Sequence, residues 1–178
     1  MTPQGGPRPR KKRTMSIVLA AIAALVVAGV VALVVQTISS DDIGDVEAGD
    51  CIAITGANTD VSFETVGCGD AGPLNFIVAD TLDSASESCG GTQYPELTQT
   101  RGEAKLCLVP NFQQGRCYEV PMSSLTGMKE VDCNSGSDSQ INSVVKVTLR
   151  VESTTVPDCA EPVTYDKPTP LGFCMSTP

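Results

Sequence analysis

The sequence predicts a mainly β protein: one N-terminal transmembrane helix followed by a small disulfide-rich β domain made of two tandem similar units. Three observations carry this. An uncharged apolar run, Met15 to Val35, follows a cluster of five bases. All eight cysteines lie beyond that run, from Cys51 to Cys174. Beyond it, too, short runs of β-branched residues alternate with Gly, Asn, Asp and Ser, the pattern of strands and turns.

Residues 1–14, MTPQGGPRPRKKRT, hold Pro, Gly and bases with little to bury, so a disordered tail is expected. The run that follows reads MSIVLAAIAALVVAGVVALVV. As a helix it would span about 31 Å, which matches a hydrocarbon core of about 30 Å. The expected transmembrane helix therefore occupies residues 15–36. Arg8, Arg10, Lys11, Lys12 and Arg13 flank only its start. The positive-inside rule then places the N-terminus in the cytoplasm and Asp41 onward outside the cell membrane. A cleavable signal peptide is the rival reading, but its apolar region is usually shorter, and Ile38-Ser39-Ser40 makes a weak cleavage site. A lipid-modified cysteine would have to follow the apolar run directly, whereas the first is Cys51, after Ala48-Gly49-Asp50. Ala20, Ala24, Ala28 and Ala32 recur every four residues, with Gly29 beside them. Such a ridge permits close helix–helix self-association, although an alanine-rich anchor produces the same pattern without it.

Residues 37–48 are polar and acidic and read as a juxtamembrane linker. Of the 12 basic residues, five precede the apolar run and seven follow it, while all 21 acids follow it. The part from Asp41 onward thus carries a formal charge of −14. That charge argues against nucleic acid as a partner and keeps the domain soluble.

The cysteines repeat. Cys51, Cys68, Cys89 and Cys107 precede Cys117, Cys133, Cys159 and Cys174 by 66, 65, 70 and 67 residues. Their surroundings match as well: Gly49-Asp50-Cys51-Ile52 parallels Gly115-Arg116-Cys117-Tyr118, and Leu106-Cys107-Leu108 parallels Phe173-Cys174-Met175. A first unit over residues 49–112 and a second over 113–178 follow from this. The expected strands are 51–55, 61–66, 76–82 and 105–109, then 117–120, 128–132, 142–152 and 173–175. In the long run, Val145, Val147, Leu149 and Val151 alternate with Lys146, Thr148, Arg150 and Glu152, the half-buried strand pattern. Residues 84–102 and 153–170 read as loops, with room for a short helix in the first.

An even cysteine count outside a membrane indicates a disulfide framework, and the absence of histidine and of any Cys-x-x-Cys argues against zinc. Hairpin geometry suggests Cys51–Cys68 and Cys117–Cys133. The local solution for the rest is Cys89–Cys107 and Cys159–Cys174, with exchange between units left open.

A basic tail, one membrane segment, then Gly49-Asp50-Cys51, Val66-Gly67-Cys68, Cys89, Leu106-Cys107-Leu108-Val109-Pro110-Asn111 and Gly115-Arg116-Cys117-Tyr118 resemble the actinobacterial LppU family of envelope proteins. The resemblance covers roughly residues 49–120 and implies a small secreted or anchored domain, without a mechanism. It departs in lacking a cysteine placed for lipid attachment.

No catalytic site is legible. Histidine, the usual general base, is absent. The Asp-rich segment around Asp41, Asp42 and Asp45 lacks the spacing of a calcium loop. Neither a metal nor a cofactor is implied. The expected function is a non-enzymatic binding or assembly module of the cell envelope, its partner an envelope protein or glycan. An envelope enzyme or thiol-redox protein with an unrecognised site is the alternative. Tyr94 and Tyr165 sit in the two long loops and are the candidate contact residues, since a tyrosine in a polar loop suits contact with either partner; both can equally pack on their own strands.

Overall fold

The computed structural model describes residues 35–38, 43–57, 60–70, 72–99, 104–121, 124–135, 142–160 and 162–178. It is mainly β, with two sheets and four disulfides, and no α-helix occurs among the described residues. No helix there is long and apolar enough to cross a membrane. The expected span 15–36, with its alanine ridge at Ala20, Ala24, Ala28 and Ala32, lies outside the described residues apart from Val35 and Gln36, which belong to a strand.

Strand β1 is Val35–Ile38. Strands β2 (Cys51–Ala57) and β3 (Asp60–Val66) form an antiparallel hairpin with Cys51 opposite Val66. Strand β4 (Asn75–Leu82) pairs with the other side of β2. Strand β6 (Lys105–Pro110) pairs with β4, and β5 (Glu96–Gln99) with β6. The antiparallel order is therefore β3-β2-β4-β6-β5, and β1 runs parallel to both edges, closing a barrel. Every residue of β6 is buried, as a central strand of apolar Leu, Cys and Val should be.

The second sheet contains β7 (Cys117–Pro121), β8 (Lys129–Val131), β9 (Asn142–Val151), β10 (Pro162–Tyr165) and β11 (Leu171–Ser176). Its order is β10-β11-β9-β7-β8. With β7 to β11 in the places of β2 to β6, this is the same order as in the first sheet. Local detail agrees: Cys117 faces Val131 as Cys51 faces Val66. Ala79 on β4 and Thr148 on β9 are each an extra residue opposite the same step of the partner strand, a bulge. Gly49 N donates to Val78 O and Gly115 N to Val147 O, both at 2.8 Å, and both glycines have positive φ.

Strands β5 and β10 lie inside segments that the sequence presents as loops. Their compositions, Glu-Leu-Thr-Gln and Pro-Val-Thr-Tyr, are too short and polar to signal a strand. The ladders to β6 and β11 hold them instead.

Cys51 bonds Cys68, Cys89 bonds Cys107, Cys117 bonds Cys133 and Cys159 bonds Cys174, with Cα atoms 5.1, 5.6, 5.2 and 6.1 Å apart. Each bridge stays within one sheet's segment. A single cluster of buried side chains runs through both sheets, with Ile52, Val78, Leu97 and Leu108 from the first and Tyr118, Val147 and Phe173 from the second. Ile43 and Val46, in the segment read as a linker, also belong to it at 1% and 5% exposure.

Candidate functional site

Two groups of contacts hold the sheets together. On one side Tyr94, just before β5, meets Tyr165 at the end of β10. The Tyr94 hydroxyl donates to the Asp166 carboxylate and accepts from Asp166 N at 3.0 Å. Lys167 forms an ion pair with Asp80 across the same junction, and Gln93 Nε2 donates to Thr164 O. Burial, helped by the Asp166 carboxylate, pushes the Tyr94 phenol above its ordinary value; the hydrogen bond from Tyr94 holds Asp166 below its own.

The sequence leaves Tyr94 and Tyr165 either as contact residues or packed on their own strands. Both are buried, at 2% and 3% exposure, and they are not equivalent. Strand register aligns Glu96, opposite Cys107, with Pro162, opposite Cys174. That puts Tyr94 level with Ala160 and Tyr165 level with Gln99. The two rings thus come from different places in the two sheets and serve as a shared core contact. A phenol able to satisfy its hydroxyl on a neighbouring acid can be buried at low cost, which is why Tyr94 turns inward.

On the other side lies a cleft of ≈ 690 Å³. The turn after β3 and the start of β4 form one wall, with Pro73, Leu74, Asn75 and Ile77. The connector between the sheets supplies Asn111, Gln113 and Arg116; the second sheet adds Tyr118, Glu130 and Arg150. The floor is a net of amides. Asn111 Nδ2 donates to Asn75 Oδ1 at 2.7 Å and to Cys68 O at 2.8 Å. Asn111 Oδ1 accepts from Gln113 Nε2 at 3.1 Å and from Arg150 Nη1 at 2.8 Å. Arg150 Nη1 also reaches Phe112 O at 2.8 Å.

The bulge at Thr148 explains how a nominally outward residue arrives here. Beyond it, strict alternation restarts, so Arg150 stands opposite the fully buried Phe173 and its guanidinium lies over that ring, 5.9 Å from the centroid. Its side chain remains 18% exposed, and its acidic partner, Glu152, is solvent-exposed at 3.3 Å. Arg116 pairs with Glu130 at the rim, where both are well exposed. Tyr118 closes one end: its hydroxyl accepts from Gln113 N at 2.9 Å, and burial raises its phenol.

All eight predicted cysteines are in bridges, so none is free. Of the cleft residues only Cys68 is singled out by the sequence, as a bridge; Asn111 and Arg116 stand inside the cysteine-flanking motifs and Arg150 on the polar face of the long strand. A smaller hollow of ≈ 260 Å³ lies beside Gly90, Val156 and Tyr165. No group of three or more potential metal ligands occurs among the described residues. No family model, no curated protein and no solved structure gives a significant match to this chain.

Proposed function

We propose that this chain is a single-pass, membrane-anchored binding module of the cell envelope. The apolar run ahead of strand β1 crosses the membrane with the N-terminus in the cytoplasm, and the outer β domain, a duplicated unit, contacts a partner through the cleft without doing chemistry on it. The observation that carries this reading is the cleft's stock of hydrogen-bonding groups. Amides and guanidiniums converge on it, as ligand sites require, yet the sequence contains no histidine or free thiol to act as base or nucleophile. The basic tail, the uncharged run and the resemblance to LppU-type envelope proteins support the address.

The thiol-redox alternative needs an exposed, easily reduced pair. Each bridge here has at least one buried cysteine: Cys51, Cys107, Cys117 and Cys174 are all at 3% exposure or less. That favours a structural role.

The test is a photo-reactive side chain placed at Gln113, in the cleft, or at Thr177, away from it, in intact cells. Crosslinks formed from Gln113 and not from Thr177 support the reading. Equal labelling, or none from Gln113, overturns the cleft as the contact surface. Protease added to cells stripped of their outer layers should digest the domain and spare the tail; a protected domain overturns the topology.

A further inference from the structure

The proposed binding role leaves the ligand's chemistry open, and the donors and acceptors of the cleft narrow it. We infer that the cleft recognises a carboxylate, the free C-terminus of an extended peptide whose last side chain is aliphatic; this rests on the cleft being the contact surface.

The floor has spent its acceptors and kept donors. Asn111 Oδ1 already takes two hydrogen bonds, and the Asn75 Oδ1, Cys68 and Phe112 oxygens one each. Asn75 Nδ2 and Arg150 Nε, by contrast, donate to no described residue and are not sealed from solvent. Arg150 is pre-organised, because its Nη1 is anchored on two neutral oxygens and its plane rests over Phe173. Neutral anchors leave its positive charge available, and the guanidinium fork suits a carboxylate. Its present acid, Glu152, is exposed at 3.3 Å, a contact that an incoming carboxylate can replace.

Charge points the same way. Arg116 and Arg150 are the two arginines among the described residues of a region carrying −14, and both line this cleft. The acids facing it, Asp70 and Glu130, balance them to neutrality. A ligand with one negative charge can take the place of Glu152 on Arg150, whereas a multiply charged phosphate would leave excess negative charge beside Asp70 and Glu130. The wall of Pro73, Leu74 and Ile77 sits beside the donors, which suits an aliphatic side chain next to the carboxylate.

The experiment titrates the oxidised full-length chain in detergent with acetyl-glycyl-leucine, its C-terminal amide, muramic acid and inorganic phosphate, reading Arg side-chain NMR shifts and calorimetric heat. The free acid should bind about tenfold more tightly than the amide, since the amide forfeits the charge-assisted pair. Arg150→Gln should abolish that preference. Asn75→Ala, which leaves Arg150 in place, should weaken it, and Arg116→Gln should reduce it slightly, each with melting followed as a check on folding. Equal binding of acid and amide, or a preference that survives both Arg150→Gln and Asn75→Ala, overturns the assignment. So does binding of phosphate or muramic acid in preference to the peptide, or no binding at millimolar concentration. If crosslinking from Gln113 persists after such a failure, the cleft remains the contact surface and only its ligand class is wrong.

Discussion

The rings of Tyr94 and Tyr165 meet edge to face, with centroids 5.2 Å apart and planes at 70°. They belong to different sheets, so this contact and the hydroxyl network around it couple the two halves. Tyr94→Phe keeps the ring and removes the hydroxyl, leaving Asp166 N and Lys167 N short of their acceptor. The loss should be about 1–3 kcal/mol. Tyr165→Ala, which opens a cavity beneath Phe173, should cost about 3–5 kcal/mol. Urea unfolding of the oxidised chain measures both; a neutral Tyr94→Phe would mean that the junction does not depend on the hydroxyl.

The bridges close segments of similar length, with partners 15 to 18 positions apart in the sequence. Chain entropy then predicts nearly equal contributions, about 3 kcal/mol each. Peptide mapping without reduction should return the four pairs within their own segments, and double Cys→Ala replacement of any one pair should lower the unfolding free energy by a similar amount. A peptide joining a cysteine before Asn111 to one after Gly115 would refute the pairing.

Much of this framework is legible in the sequence, because cysteine spacing and β-branched runs are local signals. Asn142–Val151 reads as a strand by alternation, and it is one. The same alternation conceals the bulge at Thr148, because it runs unbroken through the extra residue while the faces of the strand exchange there, bringing Arg150 opposite Phe173. Counting from Cys89 and Cys159 pairs Tyr94 with Tyr165, whereas strand register pairs neither with the other. Loop lengths before β5 and β10 differ, and only the ladder hydrogen bonds reveal it. The cleft is illegible for a further reason: Asn75, Asn111 and Arg150 are brought together by the packing of two sheets, and no periodicity within a segment encodes that.

All three tyrosines of the chain are held above the ordinary phenol range, chiefly by burial: Tyr94, Tyr118 and Tyr165. A raised folded value stabilises the protein fully below the unfolded phenol's pKa, about 10, and the contribution is lost as pH rises through the folded values. The folded chain should therefore show little phenolate absorbance near pH 10. It should then release the signal together with unfolding at higher pH. A tyrosine titrating freely near pH 10 would show that its burial is incomplete.

Gly49 and Gly115 hold equivalent turns at φ of +102° and +84°, and a Cβ at either would meet nothing within 4 Å. Replacement by Ala is therefore opposed by backbone conformation alone, about 1–2 kcal/mol at each site. Equal losses in Gly49→Ala and Gly115→Ala are expected from thermal melting. Unequal losses would indicate that the two turns bear different loads despite their shared geometry.

Arg150 and Arg116 line one cleft yet should differ sharply when replaced. The Arg150 guanidinium bridges the connector to the second sheet through Asn111 Oδ1 and Phe112 O and covers Phe173. Lysine has a single ammonium on a flexible stem and cannot reproduce the planar fork, so Arg150→Lys leaves at least one of those oxygens unpaired. A loss of about 1–3 kcal/mol follows. Arg116 makes an exposed ion pair with Glu130, and exposed pairs contribute about 0–1 kcal/mol. Arg116→Lys should therefore be close to neutral and should become fully neutral in high salt. The bulge makes the first effect possible, because deleting Thr148 would turn Arg150 away from Phe173. That deletion should cost more than Arg150→Lys. A Thr148 deletion milder than the point substitution would show that Arg150 does not depend on the bulge for its position.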